Sequence, residues 1–134
     1  MSTRHDTSEV ITPTTALLRI AATDLPGSAL VLHLHGEVDR DQRAVLEDAL
    51  TRAVKDCPPR LIVDLAGLSF CDSTGLNALL ATRLEAQANS VRLTLAAPPP
   101  QLRRLLEITG GDEIFTIRDT VRAALDEATG PGAE

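Results

Sequence analysis

The chain has 134 residues, 43% of them apolar and 24% charged, with 19 acidic against 13 basic side chains and a formal net charge of −6. That length supports one domain with its own core, and the acidic balance excludes a nucleic-acid backbone binder, which needs clustered cations to displace counterions. With two Phe, no Trp and no Tyr, the core must be aliphatic and there is no stacking platform for bases or sugars.

Residues 1–14 are polar and Thr-rich, and residues 129–134 read Thr-Gly-Pro-Gly-Ala-Glu. Neither end carries enough apolar surface to order itself, so both are expected to be flexible around a domain spanning 15–128. No signal-type apolar run opens the chain, and no stretch approaches the roughly 20 apolar residues of a spanning helix. The expected compartment is the cytoplasm, with no membrane partner.

Between the ends the hydrophobic period switches repeatedly between two and about 3.6, the pattern of alternating strands and helices. Residues 17–22 read as a strand. After the Pro26-Gly27 turn, Leu30, Leu32 and Leu34 alternate with Val31, His33 and His35, which predicts a strand with one face in the core. Ala44, Val45, Ala49, Leu50, Ala53 and Val54 recur at helical spacing over 41–54, until Pro58-Pro59 stops them. Residues 61–65 form a near-continuous apolar run, as in an inner strand, and a loop containing Gly67 then leads to Phe70. A second helix begins at Ser73 or Thr74, turns Leu76, Leu79, Leu80 and Leu84 inward, and ends at Asn89. Residues 91–96 are the next strand. Pro98-Pro99-Pro100 opens a helix lined by Leu102, Leu105, Leu106 and Ile108 and capped by Gly110. Residues 114–117 are a last strand, and Asp119 caps a final helix carrying Val121, Ala124, Leu125 and Ala128. The sum is an α/β chain with a mixed sheet.

Three segments carry the functional signal: Gly36-Glu37-Val38-Asp39, the run from Asp64 to Leu76 containing Cys71-Asp72-Ser73-Thr74-Gly75-Leu76, and the run from Pro100 to Gly110. Together they resemble the STAS domain of bacterial anti-sigma factor antagonists over about residues 16–127. The resemblance implies a single mixed central sheet with helices packed mainly on one side, and a monomer with no catalysis and no cofactor of its own. It also implies an anti-sigma factor as partner, usually a serine kinase that phosphorylates the antagonist at the Ser after the Asp, here Ser73. A serine/threonine phosphatase would reset the switch. Asp39, Asp72, Thr74, Gly75, Leu76 and Pro99 are the expected partner-binding residues around it.

Physical chemistry supports Ser73 independently. A phosphate at a helix start meets unsatisfied N–H groups and the positive end of the helix dipole. It adds about −1.5 to −2 charges beside Asp72, enough to repel a docked surface. The alternative for Ser73 is plain helix capping, for which Ser, Thr and Asp are all favoured. Asp39 is balanced between capping the first helix and meeting a partner; Thr74 is a second phosphate candidate. Gly75 serves as a small residue at a tight helix–strand contact, as an open approach for a kinase, or both.

Other chemistries fit poorly. His33 and His35 share a strand face but have no third metal ligand nearby. The acidic set Asp39, Asp41 and Asp72 suggests an acidic metal pocket like that of a response-regulator receiver, but that reading needs a late lysine and the only lysine is Lys55. There is no P-loop and no nucleophile elbow around Ser73. Cys57 and Cys71 read as reduced, partly buried thiols, and Arg103 and Arg104 as a solvated basic spot. Gly111, where a large apolar residue is common in the family, predicts a mobile loop after the third helix. Rival roles on the same fold are a docking subunit for a transporter or lipid-transfer complex and a stressosome-like scaffold.

Overall fold

The computed structural model describes residues 8–10 and 17–126. A six-stranded sheet runs in sequence order: β1 (Ser8–Val10), β2 (Leu18–Leu25), β3 (Ala29–Val38), β4 (Arg60–Cys71), β5 (Arg92–Ala96) and β6 (Thr116–Arg118). The first three strands are antiparallel neighbours, and β3 to β6 pair in parallel. The helices are α1 (Arg43–Lys55), α2 (Ser73–Ala88), α3 (Pro100–Thr109), α4 (Gly111–Ile114) and α5 (Val121–Asp126), with a 3-10 turn at Arg40–Gln42.

Successive parallel strands each step one place in the same direction, and crossovers share one hand, so α1, α2 and α3 are carried to the same face. There Leu30, Leu32 and Leu34 of β3 meet Leu46 and Leu50 of α1, Leu76 and Leu79 of α2, and Leu102 and Leu106 of α3, all buried. No strand follows β6 among the described residues, and α5 packs on the other face, over Ala29, Val31, Ile62 and Ala96 through Ala124. A mixed sheet with helices mainly on one side is thus the observed architecture.

Several local expectations change. Ser8–Val10 pairs with β2 inside the segment read as flexible, while residues 1–7, 11–16 and 127–134, including the 129–134 tail and Ala128, lie outside the described residues. The predicted Gly67 loop is strand: β4 continues to Cys71 across a register shift, with Gly67 opposite His35 and Phe70 opposite Glu37. Asp64 makes this bulge locally affordable by accepting from the Ala66 N–H at 3.1 Å. Leu84 and Ile108 are exposed, by 62% and 73%. At about 100° per residue, Leu84 lies roughly 140° round α2 from Leu79, and Ile108 roughly 200° round α3 from Leu106, so neither reaches the sheet. Gly111 starts a helical turn in place of a mobile loop. It is buried, and a Cβ there would come 2.9 Å from Leu106 Cδ2. That turn also shortens the last strand to Thr116–Arg118.

Thr120, not Asp119, caps α5, its hydroxyl accepting from the Ala123 N–H at 2.9 Å. Asp119 instead pairs with Arg103 at 3.2 Å, so Arg103 is more than a solvated cation. Cys57 is exposed and only Cys71 is buried.

Candidate functional site

The segment around Ser73 sits where β3, β4 and α3 converge. Asp72 N–H donates to the Val38 carbonyl at 3.1 Å, continuing the β3–β4 pairing to the last residue before α2. On the other side Gln101 forms two bonds to one residue: its Nε2 donates to the Cys71 carbonyl at 2.9 Å and its Oε1 accepts from the Cys71 N–H at 3.0 Å. A side-chain amide here imitates a strand neighbour and fixes the end of β4 to the start of α3. Pro99 and Pro100, at the start of α3, are thereby tied to the end of β4.

Asp72, extended at φ −99° and ψ −168°, is the N-cap of α2, its Oδ1 accepting from the Thr74 N–H at 2.8 Å. Ser73 is therefore the first helical residue and not the cap. It is exposed, and its hydroxyl makes no hydrogen bond among the described residues. The capping alternative for Ser73 falls on its neighbour instead. Thr74 is half-buried, so it is the less accessible hydroxyl.

Gly75 is buried against β3 and β4: a Cβ there would run into Cys71 Sγ and come 2.9 Å from Val38 Cγ1. The packing reason for Gly75 is thus present. Leu76, expected at the partner surface, is buried in the core. Asp39 caps the 3-10 turn before α1, accepting from the Asp41 N–H at 2.9 Å, while its own N–H donates to Gln42 Oε1 at 3.1 Å. Its half-exposed carboxylate remains at the same end of the sheet as Asp72, because Val38 and Cys71 are paired neighbours.

The sequence reading missed two kinds of residue. Gln101 carries no signal, being one polar residue in a helix's first turn. Phe70 and Leu17 are large apolar side chains exposed by 41% and 60% at this end of the sheet. Phe70 was hidden by the loop expectation, since only a strand through Cys71 defines which way it points. Phe70 is paired with Glu37, whose N–H donates to the Leu17 carbonyl, so Phe70 and Leu17 are both exposed apolar points at the same rim of the sheet as Ser73. A groove of about 840 Å³ lies at the opposite end, between α1 and the β2–β3 turn, and none of the predicted site residues lines it.

His33 and His35 form no metal pair. His33 Nδ1 lies 2.7 Å from Asp64 Oδ2 and its Nε2 3.0 Å from Thr23 Oγ1, while His35 is exposed. No cluster of three metal-ligating side chains occurs among the described residues.

Burial, and secondarily the charge of Asp72, push the Cys71 thiol from 9.0 up to about 12. The thiolate is the reactive form, so at pH 8 a thiol reagent is expected to label Cys57 rapidly and Cys71 only after unfolding, read by peptide mass spectrometry. An unfolded thiol ionises near 9 and the folded one does not, so Cys71 contributes stability below pH 9 that is lost between about 9 and 12.

The STAS-domain family model matches residues 20–124. An anti-sigma-F factor antagonist of Mycobacterium tuberculosis, RsfB, is 34% identical over 113 residues, covering 84% of this chain and 91% of that protein. The crystal structure of an anti-sigma factor antagonist from Mycobacterium paratuberculosis superposes with a TM-score of 0.72 at 28% identity, over 92% of this chain and 96% of that one. The antagonist SpoIIAA in its unphosphorylated form matches in fold, with a TM-score of 0.69 at 23% identity over 80% of this chain and 93% of that one. A mixed sheet with helices mainly on one face, matched by the family model over most of its length, defines the class: the chain belongs to the STAS-domain family. Relatives by sequence include proteins named as anti-sigma factor antagonists.

Proposed function

We propose that this chain is an anti-sigma factor antagonist whose unphosphorylated form binds an anti-sigma factor and so frees a sigma factor. The anti-sigma factor is a serine kinase that switches the antagonist off by phosphorylating Ser73, and a serine/threonine phosphatase restores it. All of this takes place in the cytoplasm. The chain contributes binding, and the kinase supplies ATP, magnesium and the chemistry.

The observation that carries this reading is the division of labour at the start of α2. Asp72 does the capping, which leaves the Ser73 hydroxyl exposed and unengaged among the described residues. A phosphate on it would sit at the positive end of a 16-residue helix, which tolerates the modification. The same charge beside Asp72 and Asp39 would oppose any partner resting on Phe70, Leu17 and Pro99.

The reading is tested by adding the chain to a preformed complex of a candidate anti-sigma factor and its sigma factor, and following sigma release by native electrophoresis. Stoichiometric release is expected. Binding without release would place the chain among docking modules of transporters or scaffolds. Asp39→Ala removes a cap worth about 1 kcal/mol, so any loss of binding in that variant is read beside its thermal melt.

A further inference from the structure

The helix layer stops short of the edge of the sheet. Among the described residues α1 is the outermost helix on its face, packed against β3, yet the sheet continues through β2 to β1. Register sets Ala22 and Asp24 of β2 opposite Leu32 and Leu30, and so on the α1 side. The groove of about 840 Å³ lies there, between this strip of the β2–β3 hairpin and one stripe of α1. Val45, Ala49 and Ala53, four residues apart, form its apolar helical wall, and Asp48, Arg52 and Asp56 run alongside them. From Val45 to Asp56 the stripe is about 16 Å long, roughly three turns.

The charge of this groove is one-sided. Its single basic side chain, Arg52, is already paired with Asp48 at 3.1 Å. That leaves Asp24 on the strand wall and Asp56 on the helix wall, both exposed, and neither carboxylate has a hydrogen bond or ion pair among the described residues. Asp56 is also the C-cap of α1, the end of a helix that favours cations and disfavours a carboxylate. No ion pair within the described residues offsets it, whereas a cation bound in the groove would.

We propose that the groove docks a basic amphipathic helix of a protein partner, which takes the next place in the helix layer beside α1. Its apolar stripe lies over Ala49, Ala53 and Leu32, and Lys or Arg on its two flanks meet Asp24 and Asp56. This surface is at the far end of the sheet from Ser73 and is independent of the switch. A fatty acid or an anionic membrane would bring negative charge to the same two carboxylates. A second copy of the chain, docked groove to groove, would set Asp24 and Asp56 against their own kind.

The test is fluorescence anisotropy of the full chain with a labelled Ala-rich peptide of about four helical turns, carrying Leu at spacings of three and four with Lys on either side, at low salt. Binding is expected, weakened about tenfold or more by Asp24→Asn/Asp56→Asn, by Ser in place of Leu in the peptide, and by raised salt. Asp112→Asn/Glu113→Gln removes the same charge from exposed positions outside the groove and is expected to leave binding unchanged. Cys57, exposed in the groove lining, reports the place: saturating peptide is expected to slow its labelling by a thiol reagent several-fold. Circular dichroism confirms that each variant is folded, and Asp24→Asn alone serves if the double variant is not. No binding by the full chain, equal losses in the groove and control variants, or unhindered labelling of Cys57 with peptide bound would each overturn the proposal. So would binding of phosphatidylglycerol vesicles in place of the peptide, or a dimer of the chain alone that Asp24→Asn/Asp56→Asn dissociates.

Discussion

Ser73→Asp is expected to weaken binding of the anti-sigma factor by more than a hundredfold, with the thermal melt unchanged. An exposed first-turn residue contributes little to stability, and an acidic side chain there is favoured by the helix dipole. The same negative charge, placed next to Asp72 and at the same end of the sheet as Asp39, would face a partner docked as proposed over Phe70 and Pro99. A loss of about 3 kcal/mol of binding free energy is sufficient for the hundredfold effect. Titration calorimetry on Ser73→Asp and Ser73→Ala separates charge from hydroxyl. The alanine variant is expected to bind as the parent does, because the hydroxyl makes no bond among the described residues. If both variants bind alike, charge at Ser73 does not govern the partner.

The largest effect on stability is expected at Gly36. Its φ is +112°, a region that L side chains rarely adopt, and a Cβ there would be driven into the Leu17 backbone carbonyl. That carbonyl is also the acceptor of the Glu37 N–H at 3.2 Å. Gly36→Ala must therefore either distort the β2–β3 pairing, where Gly36 faces Leu18, or open the end of the sheet that supports Asp39 and Phe70. A destabilisation of about 3 kcal/mol or more follows from backbone strain combined with a backbone clash, measurable as a lowered urea midpoint. An unchanged midpoint would mean that this rim of the sheet yields at little cost. Gly27, also at positive φ but with open space around its missing Cβ, is the control: its substitution carries the strain without the clash.

The order of elements was legible because hydrophobic period and punctuation agree along most of the chain. Leu30, Leu32 and Leu34 at period two, Pro58-Pro59, and Gly110 in the left-handed conformation at the end of α3 each act through their own local chemistry. The errors arose where a tertiary partner overrides that chemistry. Gly67 looks like a turn residue but is pressed against the Leu34 carbonyl and the His35 ring, a close approach that only glycine permits inside a strand. Leu84 and Ile108 satisfy helical spacing loosely, and only the sheet's position shows that both point away from it.

At the site, Asp72, Ser73 and Gly75 were readable as a local motif, whereas their division of roles was not. Ser and Asp are near-equal caps in isolation. It is the Val38 carbonyl and the Gln101 amide, gripping residues 71 and 72 from either side, that put Asp72 at the cap and Ser73 on the surface. Gln101 lies 30 residues from Cys71, beyond any local pattern.

The central claim is tested most directly by intact-mass and peptide mass spectrometry after incubating the chain with ATP, magnesium and each candidate anti-sigma kinase, with Ser73→Ala in parallel. A single added phosphate on Ser73, absent from the alanine variant, is the predicted result. Phosphate on Thr74 or elsewhere, or tight binding by a kinase that leaves Ser73 unmodified, would contradict the account.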